Sequence, residues 1–229
     1  MKRADIVFAV CFAAVFMPFF LSEDLYAFFR TFTLEWAFTA SFIKFAVLAT
    51  MGEMLGHRIR TGRYTSTGFG LLPRAFVWGF LGMTVKAAFM IFGAGVPSIA
   101  GHLGMVNYGS VMDGGITPGK VFLAFSISFF LNVFYAPVLM VTHRISDLHI
   151  AATGGTVAGF FTRPDIAKLF GEIDWKTMWG FVLKKTIPVF WIPAQTVTFL
   201  LPAEFQILFA AILSTVLGVI LAFAATGKK

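Results

Sequence analysis

Six long apolar runs constrain this chain more than any other feature of its sequence. They lie near residues 5–22, 34–56, 71–96, 119–143, 180–200 and 205–225. Because an α-helix rises about 1.5 Å per residue, runs of this length suit a hydrocarbon layer of about 30 Å. Only 13% of the 229 residues are charged, against about 25% in ordinary soluble domains. The sequence therefore predicts an all-α, polytopic transmembrane helix bundle of about six spans, forming one domain over residues 1–229.

The first apolar run has two interpretations. Lys2 and Arg3 precede it, as basic residues precede the apolar part of a signal peptide. The run lacks a good small-residue cleavage site, however, so we interpret it as a retained helix. The single cysteine, Cys11, lies inside this run and offers neither a disulfide nor a metal-ligand cluster.

The distribution of basic residues predicts the orientation. Acidic residues collect on one predicted side, at Glu23, Asp24, Glu35, Asp113 and Glu204. With a cytoplasmic N-terminus, the opposite side receives most of the 18 basic residues, namely Lys2, Arg3, Arg58, Arg60, Arg63, Arg74, Arg144, Arg163, Lys168, Lys176, Lys184, Lys185, Lys228 and Lys229. This asymmetry follows the positive-inside rule and places both termini in the cytoplasm. We therefore expect an integral protein of a bacterial inner (cell) membrane, or of an organelle inner membrane in a eukaryote.

A short amphipathic helix is predicted between the fourth and fifth spans, over residues 162–174. Thr162-Arg-Pro-Asp165 has a capping-box pattern with proline in the first turn. Apolar residues then recur at helical spacing, at Ile166, Leu169, Phe170 and Ile173. We expect this segment to lie on the inner membrane surface.

Two lysines lie near the middle of predicted spans, where a charge costs about 2.5–3.5 kcal/mol on insertion scales. Lys44 is in the second span and Lys86 in the third, so we expect both at similar depth. The nearest carboxylate, Glu53, lies roughly 13 Å from Lys44 along a helix axis and on another face. Two interpretations stay open: the lysines snorkel or bond free carbonyls, or they line a hydrated constriction that attracts anions.

Other polar groups are expected near the same depth. Asn132 and Gln195 would supply neutral hydrogen-bonding groups, and Glu53 and Arg74 would tune entry at the inner mouth. Together with Trp191, these residues and the two lysines are the candidate pore lining. Three prolines, Pro137, Pro193 and Pro202, are candidate structural hinges, because proline kinks or ends a helix.

Glycines at close-packing spacing occur in the second and third spans. Gly52-x-x-x-Gly56 lies in one, and Gly79, Gly82 and Gly93 lie in the other. Small residues at such positions let helix backbones approach closely in lipid, so we expect helix contacts there.

Enzymatic chemistry and metal binding are not expected. Neither a Ser/His pair nor an aspartate pair lies at mid-depth, so the sequence predicts no catalytic residue and no cofactor. His143, Asp147 and His149 are expected in an inner loop that begins where the fourth span ends, and no pair of histidines there has i, i+4 spacing. We predict that these three side chains are solvated or face headgroups.

Several motifs resemble the Mpv-seventeen and peroxisomal twenty-two-kilodalton membrane protein family. Trp191-Ile-Pro193-Ala-Gln195-Thr-Val-Thr198-Phe199-Leu-Leu-Pro202 is similar to its signature W-P-A-x-Q-x-x-N-F-x-x-V-P. Gly52-Glu53 looks like the family's Gly-Asp, Gly82-x-x-x-Lys86 like its G-P-x-x-H, and Asn132-x-x-x-Ala136-Pro137 like its D-Q-x-x-x-A-P. Pro193 is shifted by one residue, Thr198 replaces Asn, Leu131 replaces Asp, and Gln206 stands where Arg is usual. The resemblance covers roughly residues 41–225.

The resemblance implies a small pore or metabolite channel, since family members are described in those terms. They are also usually described with four spans, so the run at 5–22 would be an addition. From this and the polar positions we expect a membrane channel or transporter for small anionic solutes. Its partners would be the lipid bilayer and the solute, with a homo-oligomer possible and no nucleic acid. The alternative is a non-transporting scaffold whose lysines bind lipid headgroups or a partner subunit's acid.

Overall fold

A computed structural model of the protein describes residues 3–226, without the side chains of 18–20 and 221–226, and all regular elements in this part of the chain are helical. The helices are Arg3–Leu21 (α1), Glu23–Glu35 (α2), Ala37–Thr61 (α3), Leu71–His102 (α4), Tyr108–Val111 (α5), Pro118–Phe134 (α6), Ala136–Ala152 (α7), Val157–Phe160 (α8), Ile166–Gly171 (α9), Trp175–Thr177 (α10), the wider π-helix Met178–Trp191 (π1), Ile192–Leu200 (α11) and Ala203–Thr226 (α12). The all-α fold class is confirmed.

Several helices have the length and apolar character of membrane spans. Within the described residues these are α3, α4 and α12, and α6 with α7 makes a fourth if the bent pair counts as one span. By length and composition these helices indicate a membrane protein, and every regular element in the described part of the chain is helical. The count of six spans and the cytoplasmic position of both termini stay predictions.

The first connection contains a helix that the sequence analysis did not separate. Ser22 is the N-cap of α2, since its side chain accepts a hydrogen bond from the Leu25 N–H. Glu23 and Asp24 follow in the first turn, where acidic groups favour a helix start. Trp36 ends α2 and immediately precedes α3, so the predicted span at 34–56 is instead α3 at Ala37–Thr61.

The predicted span at 119–143 is broken at Tyr135. The axes of α6 and α7 differ in direction by 43°. Pro137 lies in the first turn of α7, where its missing N–H leaves no hydrogen bond unmade. The helix then continues to Ala152, which is well beyond the predicted end and carries His143 and Asp147 with it.

The other two candidate hinge prolines also mark helix boundaries. Pro193 lies in the first turn of α11, directly after π1. Pro202 separates α11 from α12. Each proline thus stands where one helical segment gives way to the next, and their movement as hinges stays a prediction.

The predicted amphipathic segment is shorter than expected. Its helix is α9, and the N-cap is Asp165, whose side chain accepts from the Lys168 N–H. Thr162 was the predicted cap, but its hydroxyl instead donates to the Gly159 carbonyl in the preceding turn. Of the four apolar residues at helical spacing, Leu169 and Ile173 are buried, whereas Ile166 and Phe170 are exposed.

Glycines bring α3 close to two neighbours. A Cβ on Gly52 would lie 2.7 Å from Thr215 Cα of α12, and one on Gly82 would lie 2.7 Å from the Ser41 carbonyl oxygen of α3. Gly79 packs on the ring of Phe42. The expected contact at Gly93 was wrong, because the space around it is open. The apolar core lies between α3, α4, α6, α11 and α12.

Polar contacts hold α1 against α3 at the end where α3 finishes. Arg58 Nε donates to Asp5 Oδ1 over 2.9 Å, and the Tyr64 hydroxyl lies 3.1 Å from the same oxygen. Burial and the hydrogen bond to Asp5 raise the pKa of Tyr64. Phe8 stacks on the Tyr64 ring with 4.6 Å between ring centroids.

Candidate functional site

A large polar cavity of about 800 Å³ occupies the end of the bundle at which α3 ends and α4 begins. Its walls come from α3, α4, α7, α12 and the loop at residues 66–69. The charged and aromatic residues that line it are Glu53, His57, Arg60, Phe69, Arg74, Trp78, His143, Arg144, Asp147 and Trp191. We refer to it as the large cavity.

A second, small cavity of about 30 Å³ lies deeper in the bundle. Apolar side chains form most of its wall, and its polar lining consists of Asn132, Tyr135, Trp191, Gln195 and Ser214. This volume suits about one water molecule. The small cavity adjoins the large one, because four residues line both: Leu139, Met140, Trp191 and Ser214.

The two cavities follow one face of α3. Phe45 lines the small cavity, whereas Ala49, Gly52, Gly56 and Arg60 line the large one. These positions recur every three or four residues, which is the spacing of a single helix face. From Phe45 to Arg60 the face is about 22 Å long, so the cavities together extend through much of the bundle.

Glu53 is the centre of a hydrogen-bonded network in the large cavity. Trp78 Nε1–H donates to its Oε1 over 2.7 Å, and His143 Nε2 lies 2.9 Å from the same oxygen. Arg74 Nη1 donates to its Oε2 over 2.5 Å. The rings of Trp78 and His143 also pack together, with centroids 4.2 Å apart. Three elements are thus joined through one carboxylate.

Arg74 bridges the two carboxylates of this network. Its Nη1 lies 2.5 Å from Asp147 Oδ1 as well as 2.5 Å from Glu53 Oε2. Its Nε donates to the Phe69 carbonyl, which fixes the guanidinium plane. The three charged side chains are less than one-fifth exposed, and a buried charge of this kind is tolerated only when it is paired.

The same groups could in principle ligate a metal. The ligand atoms of Glu53, His143 and Asp147 lie within 4.8 Å of one another, and a His with two carboxylates suits several divalent ions. The Arg74 guanidinium, however, already lies against both carboxylates and supplies the positive charge there. The donor set therefore fits an arginine-bridged network better than a metal centre.

Two arginines with exposed side chains stand at the rim of the large cavity. Arg60 is in the last turn of α3, and Arg144 is in α7 one residue after His143. His57 lies one helical turn before Arg60, and its Nε2 is buried with no hydrogen-bond partner among the described residues. The rim therefore presents two cationic groups that are not bonded to the Glu53 network, whereas the unpaired nitrogen of His57 lies buried behind them.

The structure brings five of the seven candidate pore residues to these cavities. Glu53 and Arg74 line the large cavity, Asn132 and Gln195 line the small one, and Trp191 lines both. Lys44 and Lys86 line neither.

Lys44 instead contacts α2. Its Nζ donates to Thr33 Oγ1 over 2.7 Å and lies 4.5 Å from the centroid of the Phe29 ring. Among the residues that the structure describes, neither Lys44 nor Lys86 forms an ion pair with a carboxylate. Both lysines lie outside the two cavities.

The prediction for His143, Asp147 and His149 was wrong. His143 and Asp147 line the large cavity and bond to its network, and His149 is buried with its Nε2 3.0 Å from the Phe160 carbonyl oxygen. The predicted span ended too early, which placed all three in a loop. The sequence did contain a signal for this placement. His143 and Asp147 are four residues apart, which puts them on one face of a helix. Glu53, a carboxylate in an apolar run, needed a partner in the membrane.

Comparisons with known proteins identify no relative: no family model, curated protein or solved structure matches this chain. The resemblance to the Mpv-seventeen and peroxisomal twenty-two-kilodalton membrane protein family thus stays a prediction from the motifs.

Proposed function

We propose that the protein is a channel or transporter for small anionic solutes, and that the large cavity is the solute's entry chamber. The observation that carries the proposal is that the two cavities adjoin along one face of α3. A cavity that continues inward from a charged rim to the polar groups at mid-bundle is an arrangement that permeation requires.

The charges at the rim favour an anion. Three arginines line the large cavity, against two carboxylates, and both carboxylates are already bound to Arg74. Arg60 and Arg144 therefore remain to attract an acid. Cationic groups around a concave site raise the local concentration of anions. This proposal keeps the expected class of solute but assigns its attraction to the two rim arginines instead of Lys44 and Lys86.

The deep end of the path is closed in this conformation. Phe89 lines the small cavity and packs on Phe199 with ring centroids 4.7 Å apart, and Leu131 lies in the same core. A solute would pass only after this packing opens. A chamber that is open at one end and closed by aromatic packing at the other is compatible with a gated channel or an alternating-access carrier.

The experiment is anion efflux from liposomes that contain the purified full-length chain. We expect preloaded acetate to leave faster than from protein-free liposomes, while sodium is retained equally by both. Acetate efflux equal to that of protein-free liposomes, under conditions in which circular dichroism shows a folded helical protein, would argue against transport.

The second candidate is a non-transporting scaffold or lipid- and partner-binding protein. The small size of the inner cavity favours it, because about 30 Å³ does not admit a solute larger than water. On this alternative, anions would bind at the large cavity without crossing the membrane. Anion binding measured in nanodiscs, combined with no efflux from liposomes, would support the scaffold.

A further inference from the structure

Two residues that line the small cavity each carry a buried polar atom without a hydrogen-bond partner among the described residues. The atoms are Nε1 of Trp191, which is a donor, and Oε1 of Gln195, which is an acceptor. The residues are only 7% and 5% exposed. Unpaired polar atoms are costly in a protein interior and more so within a membrane, where water cannot replace the missing partner.

The helical spacing explains why both residues line the same cavity. Trp191 ends π1 and Gln195 lies four residues later in α11, so the two side chains occupy one face of a nearly continuous helix. Both line the small cavity. The helix therefore brings one unpaired donor and one unpaired acceptor to the wall of the same cavity.

The hydrogen-bond donors of the neighbouring polar side chains are already used elsewhere. Asn132 Nδ2 donates to the Ser128 carbonyl, and the Ser214 hydroxyl donates to the Ala210 carbonyl. The Tyr135 hydroxyl is 2.7 Å from Thr84 Oγ1. The protein thus supplies no obvious partner for Trp191 and Gln195 at this cavity, and a bound group would have to provide one.

We propose that Trp191 and Gln195 form a hydroxyl-binding site at the closed end of the solute path. The group that satisfies both atoms must accept from Trp191 and donate to Gln195. A carboxylate only accepts and an ammonium only donates, whereas a hydroxyl group or water does both. The cavity volume of about 30 Å³ suits a group of that size.

The hydroxyl has two sources, a water molecule or a hydroxylated solute. A solute's hydroxyl would enter the small cavity while its acid group stayed in the large cavity, nearer Arg60 and Arg144, since the two cavities share a wall. This second source rests on the proposed function and makes small hydroxy acids the preferred solutes over acids without a hydroxyl, such as the acetate of the efflux test. A site built to bond a hydroxyl strongly disfavours an analogue that lacks it.

The test is nuclear magnetic resonance of the indole N–H groups in ¹⁵N-tryptophan-labelled full-length protein in nanodiscs. Trp191→Phe assigns the Trp191 signal among those of the five tryptophans. Lactate and propionate are titrated in parallel, because they differ only by a hydroxyl. For a hydroxy-acid site, we expect lactate to shift the Trp191 signal and propionate to bind at least tenfold more weakly.

Variants separate the site from its surroundings. Gln195→Met preserves side-chain length and removes the acceptor, so the preference for lactate should disappear. Gln206→Met is the matched control, because Gln206 bonds to the Leu201 carbonyl away from both cavities. Trp179→Phe is the control for Trp191→Phe, since Trp179 is 66% exposed on the same helix.

The remaining outcomes are also decisive. If neither acid shifts the signal but the Trp191 N–H shows cross-relaxation with bound water that Gln195→Met removes, the site binds water and the hydroxy-acid part is wrong. If the indole signal shows neither an acid shift nor bound water, the hydroxyl-binding site is overturned. The indole signal measures binding and not transport. A negative result there does not change the acetate efflux result, and the absence of acetate efflux does not exclude a bound water at Trp191 and Gln195.

Discussion

His143 and Glu53 are hydrogen-bonded to each other, with 2.9 Å between Nε2 and Oε1, although 90 residues separate them in the chain. The bond joins α7 to α3 inside the large cavity, and Arg74 adds α4 to the same carboxylate. The network therefore has a structural role, in that it fixes three helices around the cavity. It also holds Glu53 and Asp147 against Arg74, so these carboxylates do not compete with an anion for the rim arginines.

We predict that Glu53→Gln destabilises the protein by about 3 kcal/mol. The change removes one of the two carboxylates bound to Arg74, and breaking a buried ion pair costs this much because the remaining charge is less well paired. Thermal unfolding in detergent, followed by circular dichroism, measures the effect. Glu172→Gln is the control, because Glu172 and Lys168 form an exposed pair at 3.9 Å that contributes at most about 0.5 kcal/mol. Equal melting temperatures for the two variants would contradict the role given to Glu53.

The sequence predicted the fold class and much of the helix placement, because apolar runs report burial in lipid directly. It named Pro137 as a candidate hinge, two residues after the break at Tyr135. It did not predict the continuation of α7 to Ala152, since the polar residues after Val141 end the apolar run although the helix continues. A helix can continue past an apolar run when its polar side chains face a cavity, as His143 and Asp147 do.

The residues that line the two cavities were also predicted only in part. Glu53, Arg74 and Gln195 were identified because polar groups in apolar runs need an explanation. Lys44 met the same criterion, yet it faces α2 and not the cavities. Depth in a membrane can be estimated from position along a run, but the direction of a side chain depends on which helices pack around it. One sequence does not supply that information.

We predict that Gly52→Ala destabilises the protein by about 1–3 kcal/mol. The added Cβ would lie 2.7 Å from Thr215 Cα, and a backbone atom cannot move away without shifting α12 from α3. Gly93→Ala is the matched control within a spanning helix, because nothing lies within 4 Å of its Cβ position. We expect that control to melt at or above the temperature of the unmodified protein. A Gly52→Ala variant as stable as the control would show that the helix contact is not close-packed.

We predict that Arg60→Gln combined with Arg144→Gln slows acetate efflux on the order of tenfold. Both arginines stand at the rim of the large cavity, and their charge raises the local anion concentration. The effect should shrink in high salt, because ions screen exposed charges. Arg163→Gln removes an exposed charge that lines neither cavity and should leave efflux unchanged. Slowing by the control to the same extent would indicate a general surface effect.

We predict that the double variant Lys44→Met and Lys86→Met retains efflux within about twofold of the unmodified protein. Lys44 bonds to Thr33 and neither lysine lines the two cavities, so their charges do not face the proposed path. Thr33→Val is the companion variant, since it removes the partner of Lys44 without removing a charge. A tenfold loss of efflux in the double variant, with Thr33→Val unaffected, would restore the lysine-lined constriction that the sequence first indicated.

The six-span topology predicts which segments a membrane-impermeant thiol reagent reaches from each side. Replacing the single cysteine by Cys11→Ala gives a background for new cysteines. Asp113→Cys, in the exposed connection before α6, should react only from outside, and Arg163→Cys, in the exposed segment before α9, only from inside. These sites flank the bent pair α6 and α7, so opposite accessibility would make that pair one complete span. Reaction of both new cysteines from the same side would instead show that α6 and α7 form a re-entrant segment. The large cavity could then not lead across the membrane as proposed.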